Sequence, residues 1–176
     1  MTTNFLKNID QILKTRSYLV FILYFYIASI LIFVIPSMFI EEFFNYNIID
    51  NNPISEVKNK WVFFILILII APIVETLIFQ IFLIKGFFIF FFLLLENRMN
   101  EDKILWISIL LSSISFGFLH FYDTFYIIIM FFLGFFWGIA YFFCKKRGSS
   151  PFITIASLHF LYNITVYFFE KHISIF

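Results

Sequence analysis

APIVETLIFQ, residues 71–80, places the carboxylate of Glu75 three residues after Pro72 and deep inside a long apolar run. Across residues 61–95 the only other charged side chain is that of Lys85. A carboxylate in membrane hydrocarbon costs about 2.5 to 10 kcal/mol or more unless a partner or a proton neutralises it. Glu75 therefore indicates a functional site, and its partners are expected elsewhere in the apolar segments.

The composition of the 176-residue chain is that of a polytopic membrane protein. Hydrophobic residues make up 62% of the chain and charged residues 13%, too few polar side chains for the surface of a soluble domain. The net charge of +1 and the lack of a basic patch exclude a nucleic-acid partner. We therefore expect an all-α transmembrane bundle that is embedded in the lipid bilayer.

Apolar runs of spanning length predict about five to six membrane helices in residues 18–40, 61–95, 104–121, 125–144 and 151–169. Residues 1–17 have helical apolar spacing with interspersed cations, which favours an amphipathic helix on the membrane surface. Residues 18–176 then form a single transmembrane domain.

The run from 61 to 95 would be about 52 Å long as one helix, against a hydrocarbon core of about 30 Å. We expect it to break at Lys85-Gly86, where glycine tolerates a bend, so that residues 87–95 lie along the membrane surface. Pro72 lacks a backbone N–H, which predicts a kink one turn before Glu75.

The distribution of lysine and arginine predicts that the amino terminus is inside, in what we expect to be the cytoplasmic membrane. With five spans, the segments predicted to be inside hold eight cationic residues: Lys7, Lys14, Arg16, Arg98, Lys103, Lys145, Lys146 and Arg147. The segments predicted to be outside hold three: Lys58, Lys60 and Lys171.

Two of the three histidines also fall in apolar segments, His120 and His159, and Asn163 follows His159 by one helical turn. Peptide hydrolysis needs a water, a base that takes its proton, and donors that hold the oxyanion. Glu75 and His120 could take the proton from the water. His159 and Asn163, at i and i+4, project from one helix face and could donate hydrogen bonds to the oxyanion.

These residues match a known pattern. Glu75-Thr76-x-x-x-Gln80, Phe116-x-x-x-His120 and His159-x-x-x-Asn163, in this order on separate helices, resemble the intramembrane motifs of the CPBP family, the CAAX proteases and bacteriocin-processing enzymes also called the Abi family. The resemblance implies an intramembrane endopeptidase acting on a membrane-associated peptide or protein. It covers about residues 61–169, which it implies are the catalytic core. It implies that Glu75 and His120 activate the water, while His159 and Asn163 steady the oxyanion.

The chain departs from the usual Glu-Glu-x-x-x-Arg motif at two supporting positions, Thr76 and Gln80. In the usual form these residues, at i and i+4, can pair as ions on one helix face. Replacing one charge would strand the other in the membrane, whereas replacing both leaves a neutral pair that can still hydrogen-bond. The double change therefore retains Glu75 but puts substrate positioning by the arginine in question.

Other interpretations stay open at the level of sequence. Glu75, His120 and His159 could together hold a catalytic zinc ion, although no His-Glu-x-x-His spacing is present. His159 and Asn163 could simply bridge membrane helices. The chain could also be a non-catalytic scaffold or an immunity-type protein that binds a peptide in the same cavity.

Depth along the helices is a further question. Counted from the inner helix ends, His120 lies about 25 Å deep and His159 about 12 Å deep, so straight perpendicular helices would not bring them level. We therefore expect a tilt, or an inner loop that dips into the membrane before Pro151.

Overall fold

The computed structural model of the chain describes residues 17–46, 60–121 and 123–173. The regular structure in these ranges is helical, and five helices are long and apolar enough to cross a membrane. They are α1 (Tyr18–Phe44), α2 (residues 60–95), α3 (Glu101–Leu119), α4 (Thr124–Arg147) and α5 (Pro151–Ile173). The predicted all-α transmembrane bundle is confirmed. Residues 1–16, which hold nearly all of the predicted surface helix, lie outside the described residues.

Helix ends follow local chemistry. The side chain of Asn100 accepts a hydrogen bond from the N–H of Lys103 at 2.9 Å, and Asp123 accepts one from the N–H of Tyr126 at 2.7 Å. Both are N-caps, which satisfy backbone donors that the first turn leaves unpaired. Gly148 ends α4 with φ of 69°, a left-handed conformation that glycine adopts without steric cost. These short turns make α3, α4 and α5 successive antiparallel neighbours.

Helix α2 is continuous, so the expected break at Lys85-Gly86 is wrong. Residues Ile84–Leu95 form an unbroken α-helix, and Lys85 is exposed on it. The helix departs from α geometry earlier, in two wider π-helical stretches, Leu66–Ile70 and Thr76–Leu83. Between them lies the short α-helical stretch Ala71–Glu75. Because Pro72 has no N–H, the hydrogen-bond ladder cannot continue unchanged past it, and the irregularity falls beside Glu75 rather than at the glycine.

Glycines let α3 and α4 approach closely. A Cβ added at Gly138 would lie 2.3 Å from Cγ2 of Ile109, and one added at Gly134 would lie 2.8 Å from Cδ1 of Phe116. Small residues at membrane helix contacts allow such approach, so that packing and polar bonds hold the bundle together. One such bond joins α4 to α1, where Nε1 of Trp137 donates to the hydroxyl of Ser29 at 3.0 Å. The close approach at Gly134 places the ring of Phe116 against α4.

The basic last turn of α4 is anchored at one end of the bundle. Lys146 pairs with Asp102 at 3.0 Å, and the cation of Arg147 lies 4.9 Å from the ring centre of Phe21. The starts of α1 and α3 and the end of α4 therefore meet at the same end. This is the end that the lysine and arginine distribution predicts to be inside, and the orientation stays a prediction.

Candidate active site

Glu75 faces a histidine inside the bundle. It is the last residue of the α-helical stretch between the two π-helical stretches of α2, and its side chain retains 22% exposure. The Oε2 atom lies 3.8 Å from Nε2 of His159 on α5. That separation is too long for a direct hydrogen bond and fits a water molecule bound to both groups. The two side chains predicted to share a site are therefore brought together.

His159 is buried and held by an aromatic ring. Its imidazole centre lies 4.5 Å from the ring of Trp137, and only 5% of the residue is exposed. Within the described residues its Nδ1 atom makes no hydrogen bond. A buried polar atom without a partner is uncommon and calls for an explanation such as a bound water or substrate. The Nε2 edge of this ring is the one that faces Glu75.

His120 follows directly after the last turn of α3 and is half-buried. Its Nδ1 atom lies 2.9 Å from the backbone carbonyl oxygen of Phe116. Since a carbonyl only accepts, Nδ1 carries the proton in this bond, and in the neutral ring Nε2 is then the nitrogen without a proton. The structure thus orients His120 as a group that can accept a proton at Nε2.

Phe116 links the two histidines. Its ring centre lies 5.0 Å from that of His120 and 6.3 Å from that of His159, and the residue is almost fully buried. The two imidazoles therefore flank one aromatic side chain, even though their depths counted along straight helices differ. The sequence motif suggested Phe116 as a supporting residue, and the structure gives it contacts with both rings.

Asn163 is engaged with the backbone of α2. Its Nδ2 atom donates to the carbonyl oxygen of Ile67 at 2.8 Å. A carboxamide has two N–H donors, so one remains for another acceptor. The bond is a bridge between membrane helices of the kind that the sequence left open as an alternative for this residue.

Thr76 and Gln80 are both buried, but they do not bond to each other. Nε2 of Gln80 donates instead to the carbonyl oxygen of Gly134 on α4 at 3.2 Å. The hydroxyl of Thr76 and Oε1 of Gln80 make no hydrogen bond within the described part of the chain. The expected neutral pair is therefore replaced by a bond from Gln80 to a neighbouring helix.

Trp137, whose ring lies against His159 at an angle of 40°, was not found from the sequence. The available signal was an aromatic residue between Gly134 and Gly138, one helical turn from the first and adjacent to the second. With 31 phenylalanines and 9 tyrosines in the chain, aromatic spacing carries almost no information. Only the packing of α4 against α5 identifies this residue.

The proposed zinc ligands do not come together as a metal site. In the ranges that the structure describes, no group of three or more His, Cys, Asp and Glu side chains could hold a metal ion. Glu75 and His159 approach each other, while Nδ1 of His120 is bound to a backbone carbonyl. Zinc stays a prediction from sequence.

Comparison with known proteins supplies the class. Residues 57–165 match the family model described as type II CAAX prenyl endopeptidase Rce1-like. The chain belongs to this family. The match includes every residue of the three motifs, and it confirms the resemblance to the CPBP proteases. Comparisons with curated proteins and with solved structures gave no match.

Membership of the Rce1-like family implies an intramembrane endopeptidase whose substrate is a peptide or protein at the membrane. Five apolar helices agree with an integral membrane protein. In this Rce1-like chain the polar motif residues lie on three different helices, α2, α3 and α5, or directly at their ends, so the site exists only when the bundle is assembled.

Proposed function

We propose that this chain hydrolyses a peptide bond of a membrane-associated peptide or protein, with a water activated by Glu75 and His120. His159 and Asn163 stabilise the oxyanion. The observation that carries the proposal is the approach of Glu75 to His159 at 3.8 Å inside an apolar bundle. Two polar groups that are costly to bury separately lie close together, and one water beside the pair could hydrogen-bond to both.

Each step of the proposed hydrolysis uses one water molecule and the side chains named above. The water oxygen forms a bond to the peptide carbonyl carbon while its proton passes to the carboxylate of Glu75 or to Nε2 of His120. The carbonyl oxygen becomes an oxyanion, which accepts hydrogen bonds from His159 and from the second N–H of Asn163. As the C–N bond breaks, the proton moves to the leaving nitrogen. The products are a new carboxylate and a new amine.

A hydrolysis assay in lipid tests this function. We expect purified protein in liposomes to cleave membrane-bound peptides, with one ¹⁸O atom from labelled water in each new carboxyl group. Mass spectrometry of the products gives both the cleavage position and the isotope. Liposomes that carry the Glu75→Gln variant are the matched control. The proposal would be contradicted if the native protein cleaved no peptide in a library of lipidated and unlipidated sequences.

Metal dependence is a separate question. Because the described carboxylate and imidazoles form no ligand group of three, we expect activity to survive dialysis against a chelator. Elemental analysis of the purified protein, before and after dialysis, accompanies the same assay. Stoichiometric zinc whose removal abolishes cleavage and whose return restores it would instead assign a metalloprotease.

A binding function without catalysis is the second candidate. It is favoured by one observation, that the amide of Asn163 already donates to the backbone of α2 rather than facing the site with both donors. Such a protein would be a scaffold or an immunity-type partner that holds a peptide in the same cavity.

For both candidate functions we propose that the protein lies in the cytoplasmic membrane with its amino terminus inside. The distribution of lysine and arginine supports this orientation.

A further inference from the structure

In the local π-helical register, the position that would donate to the carbonyl of Ile67 is occupied by a proline. In the first π-helical stretch of α2 the N–H of Ala71 donates to the carbonyl of Leu66, five residues earlier. The next bond in this register would run from residue 72 to the carbonyl of Ile67. Residue 72 is proline and has no N–H. Inside a membrane, water is not there to replace the missing donor.

Asn163 supplies that donor from another helix. Its Nδ2 atom donates to the Ile67 carbonyl oxygen at 2.8 Å, a normal hydrogen-bond length. One backbone group and one side-chain group, each costly to leave unpaired in hydrocarbon, thus satisfy each other. The bond also ties α5, one turn after His159, to α2, two turns before Glu75.

A second bond of the same kind lies on the other side of Glu75. The hydroxyl of Ser112 on α3 donates to the carbonyl of Phe79 in the second π-helical stretch. The α-helical stretch that ends with Glu75 is therefore held from both sides, at positions 67 and 79. The two donors belong to the helices associated with the histidines, since His159 is on α5 and His120 follows α3.

We propose that Asn163 is a positioning residue for Glu75, whose amide replaces the backbone N–H that Pro72 lacks. By fixing the carbonyl of Ile67 to α5, it sets the distance between the Glu75 carboxylate and the imidazole of His159. The proposal rests on the function proposed above, but it assigns to Asn163 a task that is distinct from holding the oxyanion.

Restoring the missing donor tests this directly. An alanine at position 72 provides an N–H in the register of the Ile67 carbonyl, so Asn163→Ala is measured in the native background and in the Pro72→Ala background. In the native background we expect the melting temperature in detergent to fall by about 2–6 °C and cleavage to fall by about 100-fold. In the Pro72→Ala background we expect the temperature shift to be at most about half as large. The double variant should cleave at least about tenfold faster than Asn163→Ala alone.

Ser112→Ala provides the matched control. It removes the corresponding bond at Phe79, which an N–H at residue 72 cannot reach, so its cost should be the same in both backgrounds. Activity is measured well below both melting temperatures, where a purely structural loss would leave cleavage unchanged. Equal costs of Asn163→Ala in the two backgrounds, in stability or in cleavage rate, would overturn the proposal.

Failure of this inference and failure of the proposed function give different results. An active Glu75→Gln variant removes the proposed function whatever the coupling between positions 72 and 163. An inactive Glu75→Gln variant, together with additive costs at positions 72 and 163, leaves the protease assignment standing and restricts Asn163 to the oxyanion.

Discussion

Replacement of Glu75 by glutamine is expected to abolish cleavage, with a loss of about 10²- to 10⁴-fold, while the protein stays folded. Glutamine keeps the size of the side chain and its hydrogen-bonding capacity but cannot take a proton from water. The measurement is the rate of peptide cleavage in liposomes at saturating substrate. Because the substituted group no longer carries a charge into the apolar bundle, we expect unchanged or slightly higher thermal stability.

The matched control is Glu96→Gln, the same substitution on an exposed residue at the end of the same helix. It should leave the cleavage rate within about twofold of the native value, because a surface charge far from the site contributes little. A Glu75→Gln protein that cleaves at the native rate would eliminate the mechanism proposed here, because that mechanism needs the Glu75 carboxylate as well as His120 to activate the water.

Replacement of His120 by alanine is the second large effect, with an expected loss of cleavage of about 10²- to 10⁴-fold. Its Nδ1 lies against the Phe116 carbonyl, so that in the neutral ring Nε2 is the nitrogen that can accept a proton. His120 is half-buried at the end of α3, so the substitution should cost little stability. The cleavage rate and peptide binding are measured on the same preparation.

This variant also separates catalysis from simple binding. Under the protease proposal, His120→Ala should bind peptide nearly as well as the native protein while cleaving it far more slowly. For a scaffold or immunity-type protein the native chain would show binding without cleavage. His172→Ala, at the third histidine of the chain, is the control and should be without effect; its side chain lies outside those that the structure describes. Native-rate cleavage by His120→Ala would remove this residue from the mechanism.

Much of the fold followed from hydropathy alone, because each apolar run long enough to cross the membrane had to become a helix. The helices α4 and α5 begin within a residue of their predicted starts, where Asp123 and Pro151 supply strong local signals. The break expected at Lys85-Gly86 was wrong. Length and glycine content bear on where a helix can bend, whereas the two π-helical stretches lie on either side of the short stretch that contains Pro72. Side chains from α3 and α5 bond the backbone of α2 within these stretches.

The candidate site was predicted in composition but not in arrangement. The cost of burying polar groups separately predicted that Glu75 and His159 belong to one site, and the structure places them 3.8 Å apart. The roles of Trp137 and Ser112 could not be predicted, because one aromatic residue or one serine among many carries no signal before its neighbours are known. The same holds for Gln80, whose acceptor is a backbone carbonyl of α4.

By itself, the sequence determined that this chain is a helical membrane protein and which side chains are too polar to lie in lipid without a purpose. Burial of a charge or an unpaired amide in hydrocarbon has a free-energy cost that depends on residue type, so it can be read from the order of residues. Only the tertiary structure decided which partner each of them has. Hydrogen bonds act over about 3 Å, and the contacts of Asn163 with Ile67 and of Ser112 with Phe79 exist only after the helices have packed.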